Sequence, residues 1–370
     1  MPKIVLFGAT GYTGRLTAQA LTARGASPVL AGRHGAALAK LGAELGGCET
    51  AVADVSDPAS VRALLGRGDV LVTTVGPFLR HGGPALAAAI AAGAHYLDST
   101  GEGPFIRTVF EHDEQARAAG AGLLTAFGFD YVPGNLAAGL ALREAPAAVR
   151  AEVGYFMKSP GTSGGTRASM AGMLFEPGFA LRSGQVLTER TGARVRSFDV
   201  AGQSLTGASI PGSEHLALTR SYPHLRDVDV FLGLPPLAAQ GLRAGSRLTS
   251  VVARVPALKR GLDEALARTV KGSTGGPDAE ARRRTRTWVV AEAQDAAGNT
   301  LAGVTLKGGD PYDFTAAILA WAAGTALVGG LLGSGALGPV DAFGLDALHT
   351  AARDAGWSPH RGSSIEPKTT

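Results

Sequence analysis

The sequence predicts an α/β chain: a doubly wound parallel sheet carrying an inserted α+β domain. Three observations lead there. Short apolar runs alternate with helical stretches up to about residue 132, the pattern of strands covered on both faces by helices. After Pro133 the texture changes to strand-like runs between glycine-rich turns. Finally, 45% of the 370 residues are hydrophobic, ample for a large core in a chain that buries about three quarters of its unfolded surface.

In order, Lys3 to Phe7 reads as a strand, and the stretch after Gly8-Ala-Thr-Gly11-Tyr-Thr-Gly14 as a helix ending near Gly25. Pro28 to Gly32 is the second strand and Gly35 to Leu45 the second helix. Thr50 to Ala53 is a third strand closed by Asp54, and Pro58 to Leu65 a helix. Val70 to Val75, His95 to Asp98 and Gly122 to Ala126 are further strands, separated by helices over Ala85–Ala92 and Phe105–Ala118. The second unit shows strand-like runs at Glu152–Met157, Ala193–Ala201, His215–Arg220 and Asp227–Leu232, then a helical pattern over Leu248–Thr269. Thr285–Gln294 and Leu301–Lys307 form a hairpin about Asp295-Ala-Ala-Gly298-Asn299, whose Gly and Asn suit the turn. Helices near 314–328 and 341–355 are expected to pack back on the first unit. The division is 1–132, 133–310, 311–357 and a frayed tail over 358–370.

Composition excludes several classes. The 35 Lys+Arg against 31 Asp+Glu give a net charge of +4 and a pI near 9.3. The basic residues are scattered, and the dense run Arg282, Arg283, Arg284, Arg286 lacks interleaved aromatics, so no nucleic-acid partner is expected. Cys48 is the single cysteine, which rules out an intrachain disulfide and a thiol zinc cluster. The histidines show no paired ligand spacing, and no metal is assigned. The start lacks a signal-peptide pattern, and a cytoplasmic protein is expected. No charge occurs between Asp313 and Asp341. Six glycines interrupt that stretch, and Asp310 and Asp313 precede it, so it reads as a buried helix and glycine-rich loop rather than a membrane span.

The chemistry-bearing motifs fall at strand ends. Gly8-x-x-Gly11-x-x-Gly14 follows a strand and opens a helix, the context a dinucleotide fingerprint requires. Its glycines allow a tight turn, close backbone approach to a diphosphate and helix–strand packing, and Thr10, Tyr12 and Thr13 complete the loop. This makes the first unit a Rossmann-type domain. Arg33 stands after the second strand, where an acid would bind a ribose 2′-hydroxyl. A guanidinium there suits a 2′-phosphate, and NADP(H) is expected over NAD(H). Asp54 suits either the adenine amino group or a helix cap near Ser56. Val75, Gly76 and Pro77 end the fourth strand, where the chain either passes the nicotinamide ribose or simply turns. Asp98 and Glu102 lie in Tyr96-Leu-Asp-Ser-Thr-Gly-Glu102, and Asp130 and Tyr131 in Gly128-Phe-Asp-Tyr-Val-Pro-Gly-Asn135. These four are the candidates for proton delivery or substrate positioning, against a purely structural role in capping and loop closure. No tyrosine has Lys four residues on, so the short-chain dehydrogenase dyad is absent.

GATGYTG, AGR, TTVGPF, YLDSTGE and GFDYVPG, in this order, resemble the saccharopine dehydrogenase-like oxidoreductases, which include saccharopine reductases and trans-acting enoyl reductases. SPGTSGGTRAS (Ser159–Ser169) and GGDPYDFTA (Gly308–Ala316) resemble later family segments. The resemblance implies a Rossmann domain, an inserted α+β substrate and dimerisation domain, a homodimer, and an NADP-linked redox role in which Gly8–Gly14, Arg33 and Gly76-Pro77 touch cofactor. Relatives often carry Gly-Phe-Asp-Ser-Val-Pro-Ser-Asp where this chain has Tyr131, Gly134 and Asn135. The substrate is therefore left as a small molecule or acyl group bearing C=N, C=O or C=C. Arg167 is a candidate for an anionic substrate group, or an ordinary surface residue. Two rival readings remain: a non-catalytic NADP-binding redox sensor, and a membrane-associated enoyl or lipid reductase.

Overall fold

The computed structural model describes residues 1–173, 176–252 and 275–360. Strands β1 (Ile4–Phe7), β2 (Val29–Gly32), β3 (Thr50–Val52), β4 (Val70–Thr73), β5 (His95–Asp98) and β6 (Gly122–Leu124) form a parallel sheet in the order 3-2-1-4-5-6. That is the doubly wound dinucleotide-binding order, with its crevice where the direction of winding reverses between β1 and β4. β1 and β4 are buried along their whole length, which is why they read as unbroken apolar runs.

Alternate side chains serve opposite faces. Ile4 and Leu6 join the core beneath α1 (Tyr12–Ala23) and α2 (Gly35–Glu44). Val5 and Phe7 join the core beneath α3 (Pro58–Arg62), α4 (Phe78–Ala92), α5 (Gly103–Glu111) and α6 (Asp113–Ala119). The helix expected over 105–118 is thus two helices meeting at His112.

Several elements differ from the sequence reading. The change of texture at Pro133 hides a helix, α7 (Val132–Glu144), in which Pro133 occupies the first turn, where it costs no hydrogen bond. Every residue from Val132 to Leu142 is buried, because α7 packs on the second sheet with one side and under other helices with the other. His215–Arg220, expected as a strand, is a helix over Glu214–Ser221. Its buried positions Glu214, His215, Ala217 and Leu218 follow the helical repeat, not alternation.

The second sheet runs β10 (Val195–Val200), β11 (Gln203–Ser209), β12 (Asp227–Gly233), β7 (Arg150–Lys158), β13 (Arg286–Gln294), β14 (Thr300–Gly308), β16 (Ser358–Pro359). β8 (Gly178–Arg182) pairs with β12 and with β9 (Gln185–Glu189). The pairs are antiparallel except β7 with β12. β13 and β14 are the expected hairpin. Two further helices belong here, α8 (Gly164–Met173) and α9 (Glu214–Ser221), with α10 (Pro236–Val252) and α11 (Ala279–Arg284) completing the unit. The helical pattern over 248–269 lies inside α10 up to Val252 and outside the described residues from 253 onward.

The C-terminal segment returns to the first unit. α12 (Pro311–Leu327), capped by Asp310, packs along α1 and beneath β1 and β4. No described helix is long and apolar enough to cross a membrane. The glycine-rich stretch beyond α12 includes β15 (Gly335–Ala336), a seventh parallel strand beside β6. α13 (Pro339–Phe343) and α14 (Leu345–Asp354) follow, interrupted at Gly344. Trp357 is then buried against Phe129 and Phe314, and Ser358–Pro359, at the start of the expected tail, pair with β14; 361–370 lie outside the described residues.

Candidate active site

The carboxyl ends of β1, β2, β4, β5 and β6 bring the singled-out motifs to one edge of the first sheet. Gly8 takes φ +89°, a left-handed conformation open to glycine. A Cβ on Gly14 would overlap the Gly8 carbonyl, so the third glycine is what lets α1 start this close to β1. Gly11 is the N-cap of α1 and no side chain caps it. The first-turn amides are therefore free to receive an anion, helped by the helix dipole.

Arg33 is exposed at the end of β2. Asp54, after the neighbouring strand β3, accepts from Ser56 N and Oγ, both at 2.8 Å, and these bonds hold its pKa low. It does not cap a helix: Asp57 caps α3, accepting from Ala59 and Ser60 amides. His81, in the first turn of α4, was not anticipated; burial and the charges of Arg80 and Arg33 lower its pKa.

Tyr12 stands in the glycine loop, and its side chain is held by residues of later segments. Its hydroxyl donates to Pro277 O at 2.5 Å, and its ring meets Tyr312 edge-on at 5.0 Å. Tyr312 Oη in turn accepts from Ser163 N and bonds Thr166 Oγ1, each at 2.7 Å. The start of α8 is thereby anchored to the loop that would hold a diphosphate. Arg167, in α8, donates to Thr162 O at 2.8 Å.

Past β4, β5 and β6 the same edge carries three carboxylates with different surroundings. Asp98 is fully buried, accepting from Thr100 N at 2.9 Å and from Ala126 N and Thr125 Oγ1 at 2.8 Å. Burial raises its pKa to about 6 although those bonds oppose the shift. Glu102 accepts from Phe78 N at 2.8 Å, Leu79 N at 2.9 Å and Ser169 Oγ at 2.6 Å. It ties the start of α4, just past the cis Gly76-Pro77 bond, to α8. Asp130 is the exception: it is only half-buried, sits against Gly101, and no described residue hydrogen-bonds its carboxylate. Desolvation in this recess pushes its pKa up to about 6.

Tyr131 follows through a cis peptide bond and is buried, its hydroxyl 3.1 Å from Pro211 O and 3.4 Å from Gly101 O. Of the four predicted candidates, the structure therefore leaves Asp130 open to a ligand and places Asp98, Glu102 and Tyr131 in the supporting framework. Sequence reading missed what lies behind Asp130. Tyr155 donates to Glu214 Oε1 at 2.5 Å and accepts from Gly134 N at 3.0 Å. Both residues come from the second unit, Tyr155 within the strand expected at Glu152–Met157 and Glu214 just before the segment expected as a strand at His215–Arg220, so no local pattern marks them.

Fold and site define the class: an NADP-binding Rossmann domain with a second sheet domain built around it. Residues 4–124 match the protein family described as the saccharopine dehydrogenase NADP-binding domain. Over 140 residues the chain is 44% identical to a trans-acting enoyl reductase of Mycobacterium leprae, covering 36% of this chain and 34% of that protein. It is 42% identical over 141 residues to the Mycobacterium ulcerans protein of the same name, with the same coverage. The matched stretch thus spans about a third of the length of these relatives. Across 97% of this chain and 100% of the other, the fold is similar to apo saccharopine dehydrogenase (L-Glu forming) from Saccharomyces cerevisiae, with TM-score 0.60 and 13% identity.

Proposed function

We propose that the protein is an NADP(H)-dependent oxidoreductase acting on a C=N, C=O or C=C bond of a small-molecule or acyl substrate, with Asp130 exchanging the accompanying proton. The carrying observation is the placement of free α1 amides, an uncommitted Arg33 and an open Asp130 along one sheet edge. NADP(H) fits these residues. The glycines let the bare amides of α1 come close to β1, which a side chain at position 14 would prevent by meeting the Gly8 carbonyl; those amides would hold the diphosphate and Arg33 the 2′-phosphate. Bound there, the cofactor supplies or accepts the hydride, the part of the chemistry no side chain performs.

The chain's own residues do the rest. Asp98 and Glu102 hold the loops that flank the nicotinamide position, so that little reorganisation is needed when a ligand binds. Asp130 holds a proton up to about pH 6, well above the usual carboxylate range, and would present it to the substrate atom that gains charge on reduction. The names of the enoyl reductase relatives support C=C reduction among the three bond types. The homodimer implied by the family resemblance belongs to the same proposal and is checked by sedimentation.

The experiment is an NADPH titration followed by turnover with aldehydes, imines and enoyl thioesters. NADPH oxidation by one class, lost in Asp130→Asn, supports the reading. Tight binding with no oxidation of any class refutes it in favour of a redox sensor.

A further inference from the structure

We propose that Glu214 is a positioning residue for Asp130: an uncharged carboxylic acid that, through Tyr155, fixes the Asp130–Tyr131 backbone and leaves Asp130 as the carboxyl that exchanges a proton at the crevice. The proposal rests on the role of Asp130 given above.

The geometry is a chain of contacts from the second unit into the loop after β6. Glu214 begins α9 and is completely buried. Its Oε1 receives the Tyr155 hydroxyl at 2.5 Å, and its Oε2 has no partner. Tyr155 Oη takes the Gly134 amide at 3.0 Å and lies 3.3 Å from Tyr131 O, while its ring meets Tyr131 edge-on at 5.7 Å. Asn135 Nδ2 closes the arrangement, donating to Tyr131 O at 2.9 Å and Ser213 Oγ at 3.0 Å.

Among the described residues no cation pairs with Glu214. The titratable groups around it are Tyr155 from β7, Asp130 and Tyr131 from the loop, and His215 on its own helix. His215 is buried and held neutral, its pKa lowered to about 3 by burial and by Arg182 behind it. A carboxylate here would sit dry beside Asp130 with one oxygen unbonded, a costly arrangement. Protonation removes that cost, and burial accordingly carries the Glu214 pKa to about 8, with the Asp130 charge adding to the shift. In its uncharged form Glu214 still accepts from Tyr155, so the anchor holds while Asp130 titrates.

The test uses the full chain with 13C-labelled Asp and Glu carboxyls, titrated from pH 5 to 9, with NADPH affinity measured alongside. Among the titrating signals, two are expected near 6, from Asp98 and Asp130, of which Asp130→Asn deletes one, and one is expected near 8, deleted by Glu214→Gln. Glu214→Gln exchanges one neutral group for another and should leave the Asp130 midpoint in place. Tyr155→Phe cuts the anchor, and the better-solvated Asp130 should titrate lower by about half a unit or more. A Glu214 signal titrating below 6 in the wild type, readable without any variant, overturns the proposal. So does an Asp130 midpoint that falls by about a unit in Glu214→Gln, or one that Tyr155→Phe leaves unmoved. NADPH affinity should be unaltered throughout. Failure of NADPH to bind the wild type, with both titrations as stated, would sink the cofactor reading and leave this assignment standing.

Discussion

Replacing Arg33 by Ala isolates the contribution of the 2′-phosphate to cofactor choice. The side chain is exposed and no described residue forms a hydrogen bond or ion pair with it, so the fold loses nothing measurable, within about 0.5 kcal/mol. What is lost is a charge-assisted, bidentate contact of about 1.5–3 kcal/mol. At 1.4 kcal/mol per factor of ten, NADPH affinity should fall by about 10- to 150-fold. NADH has no 2′-phosphate, and its affinity should stay within about twofold, because the first-turn amides of α1 are untouched. Arg33→Asp should widen the gap by repelling the phosphate. Nucleotide fluorescence titrations with both cofactors, run at two salt concentrations, read the difference directly, and the NADPH loss should shrink at high salt. Equal losses for the two cofactors, or a large drop in unfolding midpoint with no change in discrimination, would refute the placement of the phosphate.

Gly14→Ala should destabilise the protein by about 1–3 kcal/mol in chemical denaturation and abolish tight NADPH binding, because the added methyl meets backbone that cannot move aside. Glu102→Ala strands two amides and the Ser169 hydroxyl, and a loss of about 2–4 kcal/mol is expected, whereas Ser169→Ala should cost about 1 kcal/mol. Asp130 is held above its unfolded pKa, so the folded state binds the extra proton between about pH 4 and 6 and stability falls as pH rises through that window. Asp130→Asn should therefore raise stability at pH 7 by about 1–3 kcal/mol, read by urea unfolding, while removing turnover. In the reductive direction the wild-type rate should decline above pH 6 as the acid form is depleted. Gly134→Ser, which restores the residue common in the resembling family, should cost about 1–3 kcal/mol, since its Cβ would occupy the space of Tyr155 Oη and Glu214 Oε1.

The first sheet was legible because its central strands are buried on both faces and its motifs are local: β1, the glycine loop and Arg33 lie within one strand–helix–strand unit. The second domain was harder. Its strands Gly178–Arg182 and Gln185–Glu189 pair by a tight hairpin that carries no apolar alternation, and β9 is largely exposed, so periodicity had little to report. α7 was missed because burial on every side removes the one-sided stripe by which a helix is recognised. The strand at Gly335–Ala336 is specified by its neighbour β6 and by Asp113, which accepts from Ala336 N, not by its own two residues.

The same distinction explains which site residues could be read in advance. A nucleotide grips backbone, so its site is written in consecutive glycines and needs few distant partners. A proton donor needs an environment, and the environment of Asp130 comes from Tyr155, Pro211 and Glu214, dispersed over the inserted domain. The departures that first made the pocket unfamiliar are consistent as a set. Tyr131 is long enough to reach Pro211 O, Gly134 leaves room for the Tyr155 hydroxyl, and Asn135 bridges the Tyr131 carbonyl to Ser213. Each makes sense only with the others present, because a side chain at 134 would expel Tyr155 and free the Tyr131 carbonyl it helps to hold. In this chain the glycine loop stands on its own strand and helix, while Asp130, the carboxyl proposed to handle the proton, is framed by residues of the other domain.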